Sequence, residues 1–326
     1  MSAPSPLIFG GACWSTPSDF GGTEHQQAAL TLLHASGVTT IDTAVIYGSN
    51  ESILGDLNAA ATHTIDTKFP GGFGSEPATK DNIVASALAS LERTKAGQFD
   101  VYYIHAPDRD VSLEVQLEGV NELYQSGKIW RFGLSNFLPD EVEAVMRIVG
   151  EKGEGFVRPS VYQGNYSAVA RHAEGGLFPV LRKYGITFYA YSPIAGGFLA
   201  KSVGELVAAA GGWRGEGRWD PETFLGKLYH GLYNKGSLIE ALKVWEGISN
   251  DAGISRAELA YRWVVYNSGL KVEDGDRVVI GARNLEQLQE TLAAVRMGPL
   301  PKEIVDRIDG IWRIVQEDAP VDNFNK

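Results

Sequence analysis

The sequence alternates between short strand-like segments and longer helical segments over most of its 326 residues. Eight segments are rich in β-branched and aromatic residues and have the length of buried parallel strands. They begin at Leu7, Val38, His63, Val101, Ile129, Pro159, Ile186 and Arg277. Helical patterns follow them, although the seventh segment reaches its helices only after a long loop at about residues 194–234. This order predicts parallel strands joined by right-handed helical crossovers.

Eight strand–helix units of this kind close into an α/β fold, the (β/α)8 TIM barrel. The alternative is an open doubly wound sheet, which normally carries a GxGxxG turn after an early strand. The sequence contains no such turn. We therefore predict a single barrel domain over residues 1–326, with the long loop at about 194–234 and an extra C-terminal helix at about 301–315.

Charge and composition exclude several classes of protein. The formal net charge is −11, whereas nucleic-acid binding normally needs a basic face. The sequence has no run of 18 apolar residues, and its N-terminus lacks the charged and apolar blocks of a signal peptide. Cys13 is the single cysteine, so no intrachain disulfide can form. We expect a cytoplasmic protein without nucleic-acid or membrane partners, either a monomer or a homodimer.

Ionisable residues stand at the ends of three consecutive strand segments. Asp42 ends the second segment, Lys68 lies at the end of the third and His105 ends the fourth, while Tyr47 follows the second on a loop. The separations, 68 − 42 = 26 and 105 − 68 = 37, each correspond to about one βα repeat. The carboxyl ends of barrel strands share one mouth, where such enzymes place their active sites. Each residue alone fits a structural role, but their succession favours one site.

The residue types indicate proton transfer to a carbonyl oxygen. A tyrosine phenol has an ordinary pKa of about 10, too high for easy proton exchange near neutrality. A neighbouring ammonium favours the phenolate, and a carboxylate keeps that ammonium charged. Tyr47 can then protonate a developing alkoxide, with Lys68 and Asp42 tuning it and His105 as a further donor. Such a site suits reduction of an aldehyde or ketone when a hydride source is bound.

A metal-dependent hydrolase is the main chemical alternative on such a barrel. It needs clustered histidine and carboxylate ligands at strand ends. The sequence has only six histidines and no HxH or HExxH pair, and Lys68 would repel a cation. We therefore expect no metal ion in the site.

The four residues, their order and their strand placement resemble the Asp-Tyr-Lys-His tetrad of the aldo-keto reductases. Four further motifs fall where that family has them, at residues 133–137, 162–164, 191–193 and 279–281. Three segments, at residues 105–108, 161–166 and 189–193, most resemble the aflatoxin-aldehyde reductase branch.

The resemblance implies an NADPH-dependent carbonyl reductase, with NADH as the alternative cofactor and a small-molecule carbonyl compound as substrate. It assigns Tyr47 as the general acid, Lys68 as the cation that makes it more acidic, Asp42 as the salt-bridge anchor and His105 as a donor that orients the carbonyl. The implied cofactor contacts come from strand ends and loops: Gly11, Ser135, Asn136, Gln163, Tyr191, Ser192, Gly196, Gly197, Leu199, Gly281, Arg283, Gln287 and Glu290.

The segment for the adenosine end of the cofactor departs from the family pattern. Many members carry an arginine where Gln287 stands and an asparagine where Thr291 stands. Arg283 can meet a 2'-phosphate with two hydrogen bonds; the alternative is a surface charge at the start of a helix. We therefore predict NADPH rather than NADH from this residue.

Substrate choice is expected to lie in the loops. The candidate contacts are Trp14, Trp213, Arg218 and Trp219. The tail at residues 321–326 lacks the terminal arginine of relatives that take acidic aldehydes, which argues against such a preference.

A second function from another class stays open at this point. Potassium-channel β-subunits share this fold and bind the cofactor mainly as partners or sensors, with slow turnover. The tetrad does not separate the two functions.

Overall fold

In a computed structural model, which describes residues 5–207 and 219–325, eight parallel strands form a closed barrel in sequence order. β8 pairs with β1, as Leu7 lies opposite Val278 and Phe9 opposite Ile280. The strands are β1 Leu7–Gly10, β2 Thr40–Asp42, β3 Thr64–Phe69, β4 Phe99–Ile104, β5 Ile129–Ser135, β6 Pro159–Asn165, β7 Thr187–Tyr191 and β8 Arg277–Ile280. The predicted (β/α)8 barrel is confirmed.

Helices lie between the strands and after the last one. Those between β1 and β6 are α1 Thr23–Ala35, α2 Asn50–Asp56, α3 Lys80–Thr94, α4 Leu113–Gln125 and α5 Pro139–Lys152. Those after β6 are α6 His172–Gly175, α7 Leu177–Tyr184, α8 Val203–Val207, α9 Phe224–Tyr233, α10 Gly236–Ala252, α11 Arg256–Arg262, α12 Leu285–Arg296 and α13 Lys302–Val315. In the part of the chain that the structure describes, no helix has the length and apolarity needed to span a bilayer.

Side chains along each strand alternate between the barrel interior and the helical layer, because successive residues of a strand point to opposite faces. A small interior cluster of buried residues includes Ile8, Tyr103 and Tyr189. The outward residues pack with the helices in a separate and much larger core. Polar residues two positions apart, such as Asp66 and Lys68 of β3, therefore share the interior face. The alternation thus points these polar side chains toward the barrel axis.

Two buried acids tie the helical layer to the strands. Glu51 of α2 accepts hydrogen bonds from Thr67 (2.6 Å), Ser90 (3.2 Å) and the Arg93 Nε (2.7 Å). Asp276, just before β8, accepts hydrogen bonds from Arg182 of α7 and from the Phe188 amide of β7. Several helices start at a side-chain cap, for example Thr79 accepting the Asn82 amide before α3. The buried carboxylates at the periphery of the barrel thus accept hydrogen bonds from nearby donors.

The segment at 194–234, expected to be a loop, contains helices in its described part. A 3-10 segment, Ala195–Ala200, is followed by α8, and α9 closes the segment. The Trp219 indole donates to the Gly196 carbonyl (2.8 Å), and its ring stacks on Phe198 and Tyr229. Gly226, which lowers helix propensity, is required in α9 because a Cβ there would lie 1.7 Å from the Asp220 carbonyl oxygen. Tertiary packing therefore overrides a sequence that favours turns.

Candidate active site

The carboxyl ends of β2, β3 and β4 lie side by side and carry the predicted ionisable residues. Asp42 is the last residue of β2, and Lys68 is the penultimate residue of β3. His105 directly follows β4, and its amide donates to the Phe69 carbonyl (2.9 Å). Barrel closure therefore brings together residues that are far apart in the sequence.

The Lys68 ammonium is completely buried and makes three hydrogen bonds. It donates to both carboxylate oxygens of Asp42 (2.6 and 2.7 Å) and to the Thr43 carbonyl (2.8 Å). Burial alone would lower the pKa of Lys68, but the nearby Asp42 and Tyr47 outweigh it, and the pKa is raised. The lysine is therefore a fixed positive charge.

Tyr47 lies on the turn after β2, between the lysine and the histidine. The Lys68 Nζ is 5.1 Å from the centre of the Tyr47 ring, and the ring meets His105 edge to face at 5.7 Å. The turn is fixed by Gly48, which has a φ of 60° and approaches the Ser15 carbonyl so closely that a Cβ would lie 2.7 Å from it. The phenol, the ammonium and the imidazole thus form one cluster.

His105 is buried beneath the aromatic rings of Tyr47 and Phe73. Burial, aided by the charge of Lys68, holds the pKa of His105 well below its ordinary value. A neutral imidazole carries one N–H, so His105 is available as an uncharged donor. Phe73 meets the imidazole edge to face at 5.1 Å.

A chain of hydrogen bonds surrounds this cluster on the β5–β7 side. Gln163 of β6 donates to Asp42 Oδ1 (2.7 Å). Asn136, in the left-handed region with φ 59°, donates to the His105 carbonyl (2.8 Å) and to Ser135 Oγ (3.0 Å). The Tyr191 hydroxyl donates to Asn136 Oδ1 (2.8 Å). Four predicted cofactor contacts therefore belong to the same site as the predicted tetrad.

The loop after β7 is tightly turned. Ser192, Ala195, Gly196 and Gly197 all have positive φ. The Ala195 amide donates to the Ser192 carbonyl (2.8 Å), and the Gly197 amide donates to the Ile194 carbonyl (3.0 Å). Leu199 is buried behind the loop, where its carbonyl accepts from the Trp245 indole (3.0 Å).

The residues predicted for the adenosine end lie together but apart from the tetrad. Gly281, Arg283, Gln287 and Glu290 are exposed after β8 and along α12, and the Arg283 amide donates to Gln287 Oε1 (3.0 Å). Lys201, which the sequence analysis missed, faces them. Partial burial lowers the pKa of Lys201, Glu205 opposes this, and the positive charge of Arg283 lowers it further. The two cations are therefore electrostatically close.

The predicted substrate residues are placed differently. Trp14 is fully buried and packs on Phe9 and Phe20, and Trp219 is fully buried on the loop after β7. Trp213 and Arg218 lie outside the described residues. Trp14 and Trp219 therefore belong to the packed core in the described structure. Gly11, predicted as a cofactor contact, lies against α2, because a Cβ on it would lie 2.3 Å from Asn50 Oδ1.

The C-terminal tail, which the family resemblance linked to substrate preference, reaches the site through contacts that the sequence did not indicate. The Asn323 amide donates to the Tyr191 hydroxyl (3.2 Å), and the Asn325 side chain donates to the Asn136 carbonyl (2.9 Å). Phe324 packs edge to face on Phe73 at 5.1 Å. The Asp322 carboxylate accepts the Phe324 amide, and an aspartate that bonds to the backbone two residues further on is a local signal for a turn. No local pattern predicts where this turn docks.

Comparison with known proteins gives the family. The sequence matches the Aldo/keto reductase family over residues 6–313. Together with the closed barrel, this match defines an oxidoreductase of the (β/α)8 class. The chain belongs to the Aldo/keto reductase family, and the predicted resemblance is confirmed.

Individual relatives share the whole length of the fold. Oxidoreductase sirO of Leptosphaeria maculans is 37% identical over 326 residues, which cover 96% of this chain and 95% of that protein. Aldo-keto reductase family 7 member A3 of Homo sapiens is 33% identical over 295 residues, 87% of each chain. Aflatoxin B1 aldehyde reductase member 2 of Homo sapiens is 33% identical over 304 residues, 90% of this chain and 83% of its own. The protein is an NAD(P)H-dependent oxidoreductase that acts on carbonyl compounds.

Proposed function

We propose that the protein reduces aldehydes or reactive ketones to alcohols with NADPH, with Tyr47 as the proton donor. One observation carries the proposal: a fully buried lysine ammonium, neutralised by Asp42, lies 5.1 Å from the ring of a tyrosine at the barrel mouth. A buried charge next to a phenol is costly to maintain without a function. The names of the relatives support an aldehyde as the substrate class.

The proposed mechanism assigns a separate task to each residue of the cluster. A nicotinamide held at the barrel mouth would supply the hydride for the carbonyl carbon. Tyr47 donates its phenolic proton to the carbonyl oxygen, and Lys68 stabilises the phenolate left behind. His105, a neutral donor, orients the same oxygen. Asp42 keeps the lysine charged and in place.

The cofactor is proposed to extend from the mouth to α12. Asn136, Ser135 and Gln163 offer amide and hydroxyl groups for the nicotinamide carboxamide, and the Tyr191 ring offers a face for stacking. The loop of Ser192, Gly196 and Gly197, backed by Leu199, would lie along the pyrophosphate, where its two glycines allow a close approach of the backbone. Gly281, Arg283, Gln287 and Glu290 would hold the adenosine end.

Phe73 and Phe324 are proposed as an apolar wall for the substrate. Phe73 packs on His105, which itself meets the Tyr47 ring, and Phe324 packs on Phe73, so the rings form a row that leads away from the proposed proton donor. Arg109 lies 5.5 Å over the Phe324 ring but donates to Glu141 Oε1 (2.7 Å), so its charge is compensated. This arrangement favours uncharged aldehydes. A cytoplasmic location, as expected from the sequence, is part of the proposal.

Steady-state consumption of NADPH with a panel of aldehydes tests the function. We expect turnover in the range of ordinary enzymes, about 1 to 10³ per second, with at least one reactive aromatic or aliphatic aldehyde. A single slow oxidation of bound NADPH, with no acceleration by any aldehyde, would refute the reductase and favour a regulatory subunit of the channel type.

Replacing Arg283 with Gln is expected to reduce the preference for NADPH. A charge-assisted bidentate contact to the 2'-phosphate corresponds to about 10- to 100-fold in affinity, so the ratio of kcat/KM with NADPH to kcat/KM with NADH should fall by that factor. Arg296→Gln, at the other end of α12 where the side chain donates to Ser36, is the matched control and should leave the ratio unchanged. An unchanged ratio in Arg283→Gln would remove this residue from the site.

A further inference from the structure

Asp66 is a carboxyl group inside the barrel that the proposed mechanism does not use. It is completely buried on β3, two residues before Lys68 on the same interior face. In the sheet register Asp66 lies directly opposite Asp42 of β2. Two acids therefore occupy neighbouring positions just below the proposed proton donor.

The hydrogen bonds of Asp66 differ from those of the other buried acids. Asp66 Oδ1 accepts the Val101 amide (3.1 Å), and among the described residues Oδ2 has no hydrogen-bond partner. Asp276, also completely buried, accepts from both terminal nitrogens of Arg182 (3.0 and 2.5 Å) and from the Phe188 and Lys271 amides (2.7 and 2.8 Å).

Asp42 and Glu51 are like Asp276 in having several donors. Asp42 accepts from Lys68 and Gln163, and Glu51 from Thr67, Ser90 and Arg93. A buried carboxylate is stable only when it is paired and hydrogen-bonded, and otherwise it takes up a proton. Asp66, with a single amide donor among the described residues, lacks this compensation.

Two cations interact electrostatically with Asp66, and among the described residues both donate their hydrogen bonds to other groups. Lys68 donates to Asp42 and to the Thr43 carbonyl, and Arg131 donates to both oxygens of Asp100 (2.9 and 2.8 Å) and to the Tyr189 hydroxyl (3.1 Å). β1 and β6 contribute Ile8 and Val161 to the interior. The ionisable groups around Asp66, on β3 itself and on the remaining strands, are Asp42, Lys68, Asp100, Tyr103, Arg131, Tyr189 and Arg277.

We propose that Asp66 stays a neutral carboxylic acid in the working enzyme, so that Asp42 alone balances the Lys68 ammonium. An ionised Asp66 would add a second negative charge beside Asp42 and weaken the field by which Lys68 favours the Tyr47 phenolate. This part rests on the proposed function. Burial, and after it the charges of Asp100 and Asp42, raise the pKa of Asp66 well above its ordinary range, in agreement with the geometry.

The pH dependence of stability tests the protonation state without any activity measurement. An acid whose pKa is raised in the folded protein keeps its proton above about pH 4, whereas the same acid in the unfolded chain has released it. Above that pH, this group alone should therefore raise the unfolding equilibrium constant of the wild type about tenfold for each pH unit. In Asp66→Asn, which keeps the acceptor for the Val101 amide, this contribution disappears.

The measurement is the ratio of the wild-type to the Asp66→Asn unfolding constant in urea between pH 4 and pH 7. We expect it to grow by about 100-fold between pH 5 and pH 7. Asp276→Asn is the matched control and should destabilise the protein at pH 7, since Arg182 loses its partner. A ratio that is flat, or that falls with pH, would overturn the proposal.

Two further measurements complete the test. Asp66→Asn should keep kcat within about threefold of wild type and leave the basic limb of the pH–rate profile in place, because an amide replaces a neutral acid. A tenfold loss of kcat or a displaced limb in a stably folded variant contradicts the neutral state. If the variant does not fold, the infrared carbonyl band of a protonated carboxylic acid in the wild-type protein at pH 7 decides, since its absence refutes the proposal. Failure of the wild type to oxidise NADPH would instead refute the proposed function alone.

Discussion

Replacing Tyr47 with Phe is expected to lower kcat for aldehyde reduction by about 10²- to 10⁴-fold, the usual contribution of a positioned general acid. The substitution removes one oxygen and leaves the ring that meets His105 edge to face at 5.7 Å. Packing and cofactor affinity should therefore persist. The measurement is steady-state kinetics at saturating NADPH, together with the dissociation constant for NADPH from the quenching of tryptophan fluorescence.

Tyr124→Phe is the matched control for this variant. Tyr124 is exposed on α4, outside the barrel mouth, so its kcat should equal that of wild type. Turnover by Tyr47→Phe at more than a tenth of the wild-type rate would show that another group protonates the carbonyl oxygen. A large loss of NADPH affinity would show that Tyr47 acts in cofactor binding instead.

Replacing Lys68 with Met is expected to reduce both activity and stability. The carboxylate of Asp42 would remain buried without its cation, and breaking a buried pair in this way costs about 3–5 kcal/mol. The phenolate of Tyr47 would lose its nearest positive charge, with an expected loss in kcat of about 10²- to 10³-fold. Urea unfolding measures the first effect, and single-turnover reduction at saturating NADPH measures the second.

The double variant Asp42→Asn with Lys68→Met separates these two effects. It leaves no charge buried at this position, and Asn retains an acceptor for the Gln163 amide. Replacement of a buried pair by uncharged groups is often nearly neutral for stability. The double variant should therefore recover most of the lost stability and none of the lost activity. Recovery of activity without the lysine would disprove its role in catalysis.

The barrel was predictable because its determinants are local. The β-branched segment that ends at Asp42 has a clear strand composition, and the similar segments at Val101 and Ile129 repeat it with helical patterns between them. Once eight parallel strands close, the placement of Asp42, Lys68 and His105 at one mouth follows from topology alone. The prediction of this placement required no knowledge of how the side chains pack.

Other features were hidden because they depend on contacts between distant parts of the chain. The docking of Phe324 on Phe73 joins residues about 250 positions apart, and neither has a local signal. Trp14, an aromatic residue in a predicted loop, is enclosed by Phe9 and Phe20. Asp66 looks like any polar residue in a strand until the register shows it opposite Asp42. Sequence patterns show the periodicity of single helices and strands, whereas these features depend on which faces of distant elements pack together.

The proposed apolar wall and the buried ion pair have separate structural origins. Lys68 and Asp42 are fixed in adjacent strands of the barrel, whereas Phe73 follows β3 on a 3-10 turn and Phe324 comes from the tail. Exchange of these two aromatic residues need not disturb the buried pair. If the wall contacts the substrate as proposed, substrate preference can therefore change in this barrel without a change in the residues that would carry out the reaction.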